Sequence, residues 1–228
     1  PATANGASKS ITFGILNYIK HRRQFNMTIG KMESVREKFV DMFINTWIIN
    51  SSVHFMNHIL DKGSVPSVLT AIMKQQTTER GRTILNNGMD IYAGSAICLG
   101  PNNFFTEYYN STPVGITVEG SNTLTRSLII FGQGLNKSHP FIYPILDSIL
   151  NDDMNSFKKN FNGILKHSLG LYCKTFRFKT DLQQQITNFA ALTNFVALKG
   201  SLLKREQMLS GDMADIFSNL YLALSVEY

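Results

Sequence analysis

One carboxylate in the sequence, that of Glu119, stands between apolar residues and a predicted helix start. Ile116 and Val118 precede it, and Gly120 follows it. A carboxylate held among apolar side chains can act as a base near neutral pH. A glycine next to it lets the backbone pass close to a ligand. Residue types and order therefore predict a candidate general base at Glu119.

The residues after Glu119 predict a helix. Ser121 or Asn122 would cap it, and the apolar residues Leu124, Leu128 and Phe131 would lie along its buried face. A glutamate near a helix N-terminus also has an ordinary explanation, because the helix dipole favours a solvated negative charge there. From local pattern alone, both interpretations of Glu119 stay open.

A basic cluster, His21-Arg22-Arg23-Gln24-Phe25, follows the first predicted helix. Its guanidinium groups have the shape to bind a phosphate. The alternative is a solvated helix end, where basic residues are common.

The histidines and cysteines carry no further prediction. His54 and His58 share the spacing of zinc ligands, but Phe55 stands where a zinc-protease motif has glutamate, so we assign no metal. Cys98 and Cys173 lack partner spacing and are expected to be free thiols in a reducing cytoplasm.

The stretch EGSNTLTR, from Glu119 to Arg126, matches the motif E-G-[ST]-x-x-[IL]-x-R. It resembles the acyl-CoA dehydrogenases, and the longer form PVGITVEGSNTLTRSLIIFGQG is similar to bacterial long-chain members that carry a helical extension after the usual C-terminal domain. The resemblance implies that Glu119 is the catalytic base and that Glu119 and Gly120 contact the acyl-CoA substrate.

The same resemblance implies FAD as cofactor. The reaction would convert medium- or long-chain acyl-CoA to trans-2-enoyl-CoA in fatty acid β-oxidation, with electrons passing to an electron-transfer acceptor. Arg22, Gln24 and Phe25 resemble an R-x-x-F-G loop that reaches the flavin of a neighbouring subunit, which implies a homodimer. Further flavin contacts would come from Gly100, Ser121 and Thr123.

The sequence departs from the family pattern in two places. Asn26 stands where the R-x-x-F-G loop has its glycine. In the segment that resembles Q-[IL]-x-G-G-x-G-[FY], Ile97 replaces the glutamine, and Pro101 and Asn103 replace two glycines. Gly100 is therefore the position expected to approach the flavin through its backbone.

Apolar periodicity predicts an all-α protein, with an up-and-down four-helix bundle in residues 1–135 and a helical extension in 136–228. Long helices are predicted at 7–22, 31–60 and about 64–99, then at 152–178, 181–209 and 212–226. The second is expected to bury one stripe as core, formed by Val35, Val40, Phe39, Phe43, Ile44, Trp47 and Ile48. Asp181 and Gln184 are expected to cap the helix that starts at 181.

Residues 154–180 contain six Lys or Arg and no acidic residue, with Phe157, Phe161, Tyr172, Phe176 and Phe178 between them. This pattern is typical of a surface that binds membranes or nucleic acid, and also of a solvated face over a helical core. The alternative function is a non-catalytic basic helical module on a membrane surface or nucleic acid. On the enzyme interpretation we expect no nucleic acid partner and a peripheral membrane contact through this stretch.

Composition gives broader expectations. The net charge of +6 allows an anionic partner, and there is no apolar run long enough for a membrane-spanning helix. We therefore expect a cytoplasmic protein that lies peripherally at the inner membrane. The resemblance also implies that the family's N-terminal helical and β-sheet domains precede these residues, so we expect the chain alone to be inactive.

Overall fold

The structure, a computed structural model, describes residues 1–175 and 180–228, and they are predominantly helical, which confirms the all-α class. The elements in chain order are α1 (Ala2–His21), β1 (Arg23–Gln24), β2 (Met27–Thr28), α2 (Glu33–Asp61), α3 (Ser67–Tyr92), α4 (Thr106–Thr117), α5 (Asn122–Leu124), a π-helix (Thr125–Gln133), α6 (Gly134–Ser138), α7 (Ile142–Leu150), α8 (Met154–Thr175), α9 (Asp181–Ala197) and α10 (Gln207–Glu227). Short 3₁₀ turns lie at Ile29–Lys31, Ala93–Ala96 and Gly200–Lys204.

The chain divides into two compact units. Unit 1 consists of residues 1–65, 73–122 and 228, and unit 2 of residues 66–72 and 123–227. Helices α1, α2 and α4 and most of α3 belong to unit 1. The predicted boundary after residue 135, and the arrangement of the first helices as a single up-and-down bundle of four, stay predictions.

Unit 1 is built around the packing of α1 on α2. Ile11, Ile15 and Ile19 recur every four residues along α1 and are buried, as the apolar period predicts. Between the two helices the hydroxyl oxygens of Thr12 and Thr46 lie 2.7 Å apart in a buried hydrogen bond. Polar side chains can therefore be buried on this face because each finds a partner.

The prediction that the apolar stripe of α2 forms core is wrong. Val40, Phe43, Ile44 and Trp47 are each about half exposed, between 49% and 55%. The buried face of α2 consists instead of Met42, Asn45, Thr46, Ile49, Ser52, Val53 and Met56. Arg80 Nη1 donates to Asn45 Oδ1 at 2.7 Å. The apolar periodicity predicts the wrong buried face of α2. Asn45 and Thr46 can be buried because side chains of neighbouring helices form hydrogen bonds with them.

The basic cluster after α1 forms a two-stranded antiparallel hairpin. Arg23 pairs with Thr28, and Gln24 pairs with Met27. Phe25 and Asn26 occupy the turn with φ of 50° and 63°, the left-handed geometry of a type I′ hairpin. Because asparagine tolerates this conformation better than most residues, Asn26 can stand where the family has glycine.

Helix α3 ends at Tyr92, seven residues before the predicted end at Leu99. Ala93 adopts a left-handed φ of 52°, which a continuing helix cannot accommodate. The chain then turns around Asn103, whose Nδ2 donates to the carbonyl oxygens of Ala96 and Cys98 at 3.0 and 2.9 Å. Its Oδ1 accepts from the backbone N–H groups of Phe105 and Thr106. Asn103 therefore organises the turn that leads into α4.

Unit 2 is organised around the π-helix, which lies between α5 and α6 and packs along α10. Ile130 and Phe131 of this segment are buried. Arg126 Nε and Nη2 donate to the two carboxylate oxygens of Asp215 at 2.9 and 2.7 Å, a bidentate pair between the two elements. The predicted helix after residue 121 is thus present, but with π geometry in its middle.

The helices of the extension differ from their predicted bounds. Helix α7 was not among the predicted helices, and Pro144 lies in its first turn, where backbone N–H groups have no partner within the helix. Helix α9 ends at Ala197, and α10 begins at Gln207, five residues earlier than predicted.

The predicted capping pair of Asp181 and Gln184 is wrong. The N-cap of α9 is Thr180, whose Oγ1 accepts from the N–H of Gln183 at 3.3 Å. Phe176 and Phe178 lie outside the described residues.

In the described residues, no helix combines the length and apolar character needed to cross a membrane.

Candidate functional site

An apolar cavity of about 520 Å³ lies in unit 1, and Glu119 stands on its wall. Its walls come from the first half of α1, the middle of α3, and α4 with the residues that follow it. The lining residues are Pro1, Thr3, Ala4, Ala7, Ser8, Ile11, Lys74, Thr78, Gly81, Ile84, Leu85, Tyr108, Ser111, Thr112, Val114, Gly115, Val118 and Glu119. The volume lies in the range of small-molecule sites.

The backbone turns sharply at Glu119. Helix α4 ends at Thr117, and Val118 is extended, with its N–H donating to the carbonyl oxygen of Val114 at 3.0 Å. Glu119 and Gly120 then both have positive φ, 56° and 96°. A non-glycine residue in this region costs about 1–3 kcal/mol and persists only where its surroundings fix it.

Lys74 of α3 fixes this turn. Its Nζ donates to the carbonyl oxygens of Ile116 at 3.1 Å and Gly120 at 2.7 Å, and to Asn122 Oδ1 at 2.7 Å. Ile116 and Gly120 flank the strained residue, so one ammonium group holds both sides of it. Partial burial lowers the pKa of Lys74 from its ordinary value, and the negative charges of Glu119 and Glu79 oppose that shift.

Asn122 extends the same network. It is buried, and its Nδ2 donates to Thr78 Oγ1 at 2.9 Å and to Glu79 Oε1 at 2.7 Å. Its side chain therefore joins the Glu119 turn to α3 instead of capping the following helix. Sequence analysis missed Lys74, Thr78 and Glu79 because they lie more than 40 residues from Asn122.

The structure corrects one expectation about Glu119. Glu119 is exposed at the cavity. The apolar neighbours that were expected to cover it do not, since Val118 is exposed and Ile116 is only partly buried. The expectation of a carboxylate held out of water is therefore wrong for this chain. Position and backbone conformation, not burial, distinguish Glu119 here.

Two of the predicted flavin contacts lie at a different cavity of unit 1. Arg22 and Gln24 line a space of about 290 Å³ that shares no lining residue with the Glu119 cavity. Phe25, at the hairpin tip, is 84% exposed. The structure therefore does not bring Arg22, Gln24 and Phe25 to Glu119 within one chain.

The remaining predicted positions lie in turns and at a helix start. Gly100 is exposed, with a φ of 149° that favours glycine. Ser121 directly precedes α5 and is partly buried, and Thr123 lies within α5 and is exposed. Both are within four residues of Glu119 in the chain.

Comparison with known families identifies the class of protein. Residues 2–132 match the model of the acyl-CoA dehydrogenase C-terminal domain, and residues 173–226 match that of the bacterial-type acyl-CoA dehydrogenase C-terminal region. The first match covers more than half of the chain. The chain therefore belongs to the acyl-CoA dehydrogenase C-terminal domain family.

Solved structures show the same fold. A Bacillus anthracis acyl-CoA dehydrogenase complexed with FAD aligns with a TM-score of 0.71 and 19% identity, covering 97% of this chain and 40% of that one. The FAD complex of PigA aligns with a TM-score of 0.51 and 19% identity, covering 56% of this chain and 32% of that one. The chain thus spans about two fifths of the Bacillus enzyme's length.

Proposed function

We propose that this chain is the C-terminal portion of an FAD-dependent acyl-CoA dehydrogenase and supplies its catalytic base, Glu119. The observation that carries the proposal is a carboxylate in a strained turn, fixed by Lys74, on the wall of an apolar cavity. Strained backbone of this kind concentrates at functional sites. Family membership gives the reaction class.

In the proposed reaction Glu119 takes the proton from the carbon next to the thioester carbonyl. That proton is too weakly acidic to leave unaided, so donors must also stabilise the negative charge that develops on the thioester oxygen. The backbone N–H of Glu119 is the donor that the family resemblance implies. A bound FAD would supply the hydride acceptor for the neighbouring carbon, so that loss of the proton and the hydride would leave a trans double bond.

The described residues fit a flavin nucleotide at the hairpin. Arg22 has no ion-pair partner among the described residues, and it lines the second cavity of unit 1 beside Tyr18 and Gln24. A free guanidinium suits a phosphate, and an adjacent aromatic ring and amide suit stacking and hydrogen bonding. Because this cavity is separate from that of Glu119, Arg22, Gln24 and Phe25 would serve the flavin of a second subunit.

The lining of the cavity beside Glu119 supports a thioester with an aliphatic tail as the substrate. Its walls are mainly apolar, with Ile11, Ile84 and Val114 among them, and Glu119 lies where a polar head would meet solvent. A medium- or long-chain acyl group is the substrate that these walls favour.

Replacing Glu119 tests the proposal directly. In the complete enzyme, Glu119→Gln should abolish dehydrogenation of acyl-CoA while the flavin absorbance of the purified protein stays unchanged. Glu107→Gln, an exposed change in the first turn of α4, is the matched control and should leave the rate unchanged. Full activity of Glu119→Gln would refute the proposal.

The 228-residue chain alone should show little or no turnover, since it spans only part of its relatives. An acceptor-coupled assay with acyl-CoA and added FAD measures this. A rate close to that of the complete enzyme would contradict our assignment of the chain as a portion of the site.

A second function, peripheral membrane contact, is favoured by the surface of α8. Met154, Phe161, Leu165, Leu169 and Tyr172 are each at least 47% exposed and recur along the helix beside exposed lysines. This combination is typical of a helix that lies in a membrane interface. We propose that it holds the enzyme at the inner membrane, near its electron acceptor.

Vesicle flotation tests that contact. Leu165→Ser with Leu169→Ser should reduce binding to anionic vesicles, whereas Asn155→Ser, also exposed on α8, should not. Binding to DNA that the leucine changes leave unaltered would favour the nucleic acid alternative instead.

A further inference from the structure

A cavity of about 310 Å³ lies within unit 2, among the π-helix, α6, α8, α9 and α10. Its apolar walls include Ile130, Phe131, Leu135, Ile186, Phe189 and Phe217. Among the described residues that line it there is no Lys, Arg, Asp or Glu. These walls exclude a multiply charged ligand such as a nucleotide, because nothing there would offset the cost of desolvating its charges.

The polar end of this cavity is formed around His139. The ring Nε2 lies 2.7 Å from Asn194 Oδ1, and Nδ1 accepts from the N–H of Phe141 at 3.3 Å. Since Nδ1 accepts, the proton of the neutral ring belongs on Nε2, which donates to Asn194. Burial lowers the pKa of His139 more than the hydrogen bond to Asn194 raises it, so the ring stays neutral near pH 7.

Two nitrogen atoms near this end lack a hydrogen-bond partner among the described residues. Asn194 Nδ2 and His167 Nδ1 are buried and make no hydrogen bond to any described residue. They flank the same ring, since Asn194 is bonded to His139 and the rings of His139 and His167 lie 5.8 Å apart, but of the two residues only His167 lines the cavity. A buried polar nitrogen without a hydrogen bond destabilises the folded chain. A ligand oxygen that approached this end would remove part of that destabilisation.

We propose that the unit 2 cavity binds an aliphatic chain with one small oxygen-bearing head group, and that the head lies at His167. The volume of about 310 Å³ limits the number of carbon atoms. A methylene group is close in size to a water molecule, whose share of liquid volume is about 30 Å³, so the cavity takes roughly ten carbon atoms. A primary alcohol and a methyl ketone of that length are uncharged and share the required chemistry.

Calorimetric titration of the 228-residue chain with 1-decanol and, separately, with 2-decanone tests the proposal. We expect saturable binding of at least one compound, and we expect this binding to be lost when a side chain fills the unit 2 cavity. The compound with the higher affinity identifies the preferred head group. Absence of saturable binding for both compounds would overturn the proposal.

Variants assign the binding to this cavity. Ala190→Phe fills it from α9 and should weaken binding at least tenfold, and Ile186→Trp at its rim should act in the same direction if the first variant folds poorly. Gln184→Phe, exposed on the same helix, is the control for added bulk and should bind as the native chain does. Ala7→Trp, which fills the unit 1 cavity instead, should leave this binding in place. An affinity equal to that of the native chain in Ala190→Phe and Ile186→Trp, or loss of all binding in Ala7→Trp, would overturn the assignment.

His167→Phe tests the head-group contact separately. It keeps the ring and removes the partnerless Nδ1, so the affinity for the better ligand should fall about tenfold. An unchanged affinity would show that the cavity binds the chain without recognising its head, and would overturn that part of the proposal.

Discussion

At the scale of single residues, the site depends on backbone conformation more than on burial. Glu119 and Gly120 form two successive left-handed residues after α4, and Lys74 bonds to the carbonyl groups on either side of Glu119. Glycine is suited to the second position because it has no Cβ to clash at positive φ. The motif E-G is therefore a requirement of the turn as well as of the chemistry.

Gly120→Ala should destabilise the chain by about 1 kcal/mol, because alanine is strained at a φ of 96°. The matched change Gly81→Ala lies inside α3, with no atom within 4 Å of the added Cβ, and should be neutral or stabilising by up to about 1 kcal/mol. Urea unfolding measures both. Equal effects of the two substitutions would contradict the role of the left-handed turn.

Lys74→Met should lower the midpoint of thermal unfolding and release the Glu119 turn, since three acceptors lose their shared donor. Lys38→Met removes an exposed ion pair with Asp90 and should change the midpoint little. In the complete enzyme, Lys74→Met should also reduce kcat more than it raises KM, because it would misplace the base rather than the binding walls. Unchanged kinetics would contradict this positioning role.

At the scale of elements, the π-helix joins the motif to the extension. Arg126, the last residue of the motif, lies in the π-helix and forms its bidentate pair with Asp215 of α10. A built Cβ on Gly211 of α10 would lie only 2.9 Å from Arg126 Cζ, so the guanidinium packs directly on that helix. In this chain the motif arginine therefore has a structural partner within unit 2.

Asp215→Asn should destabilise the chain by about 0.5–1 kcal/mol, because the pair is bidentate but only partly buried. Glu206→Gln, in the exposed pair with Lys199, is the control and should have a smaller effect. Denaturant midpoints compare the two. A larger effect at Glu206 would show that the Arg126 pair does not hold α10 to the π-helix.

At the scale of the whole molecule, each compact unit has its own cavity. The unit 1 cavity is lined by the proposed base, and the apolar unit 2 cavity is lined by His167, whose buried Nδ1 has no hydrogen bond within the described part of the chain. The exposed apolar face of α2, formed by Val40, Phe43, Ile44 and Trp47, is a further surface of unit 1.

The stability of the chain should fall as the pH drops below 6.5. The pKa of His139 in the folded chain lies below 6.5, which is its ordinary value in the unfolded chain. Between the folded-state and unfolded-state pKa values, the unfolded chain therefore binds more protons than the folded one. Unfolding therefore becomes more favourable as the pH falls through this window. His139→Gln should flatten the dependence measured by denaturant unfolding between pH 5 and 7, whereas His21→Gln, at an exposed position, should not. An identical slope in the native chain and His139→Gln would contradict this.

The sequence by itself determined the helical class, the position of most helices and the motif around Glu119. These features are local, because helical periodicity, helix-breaking residues and a contiguous motif are all encoded within one or two turns of chain. The hairpin at Phe25 and Asn26 also lies where the basic cluster breaks the helical period.

Only the tertiary structure decided which face of α2 is buried, what holds the Glu119 turn, and where α3 and α9 end. Asn45 and Thr46 are buried because Arg80 and Thr12, on other helices, satisfy them. Lys74 reaches the Glu119 turn across more than 40 residues of sequence. The hydrophobic effect is non-directional, so an apolar pattern does not by itself fix which side chains become buried. Hydrogen bonds between distant residues do fix this, and they form only once the helices have packed.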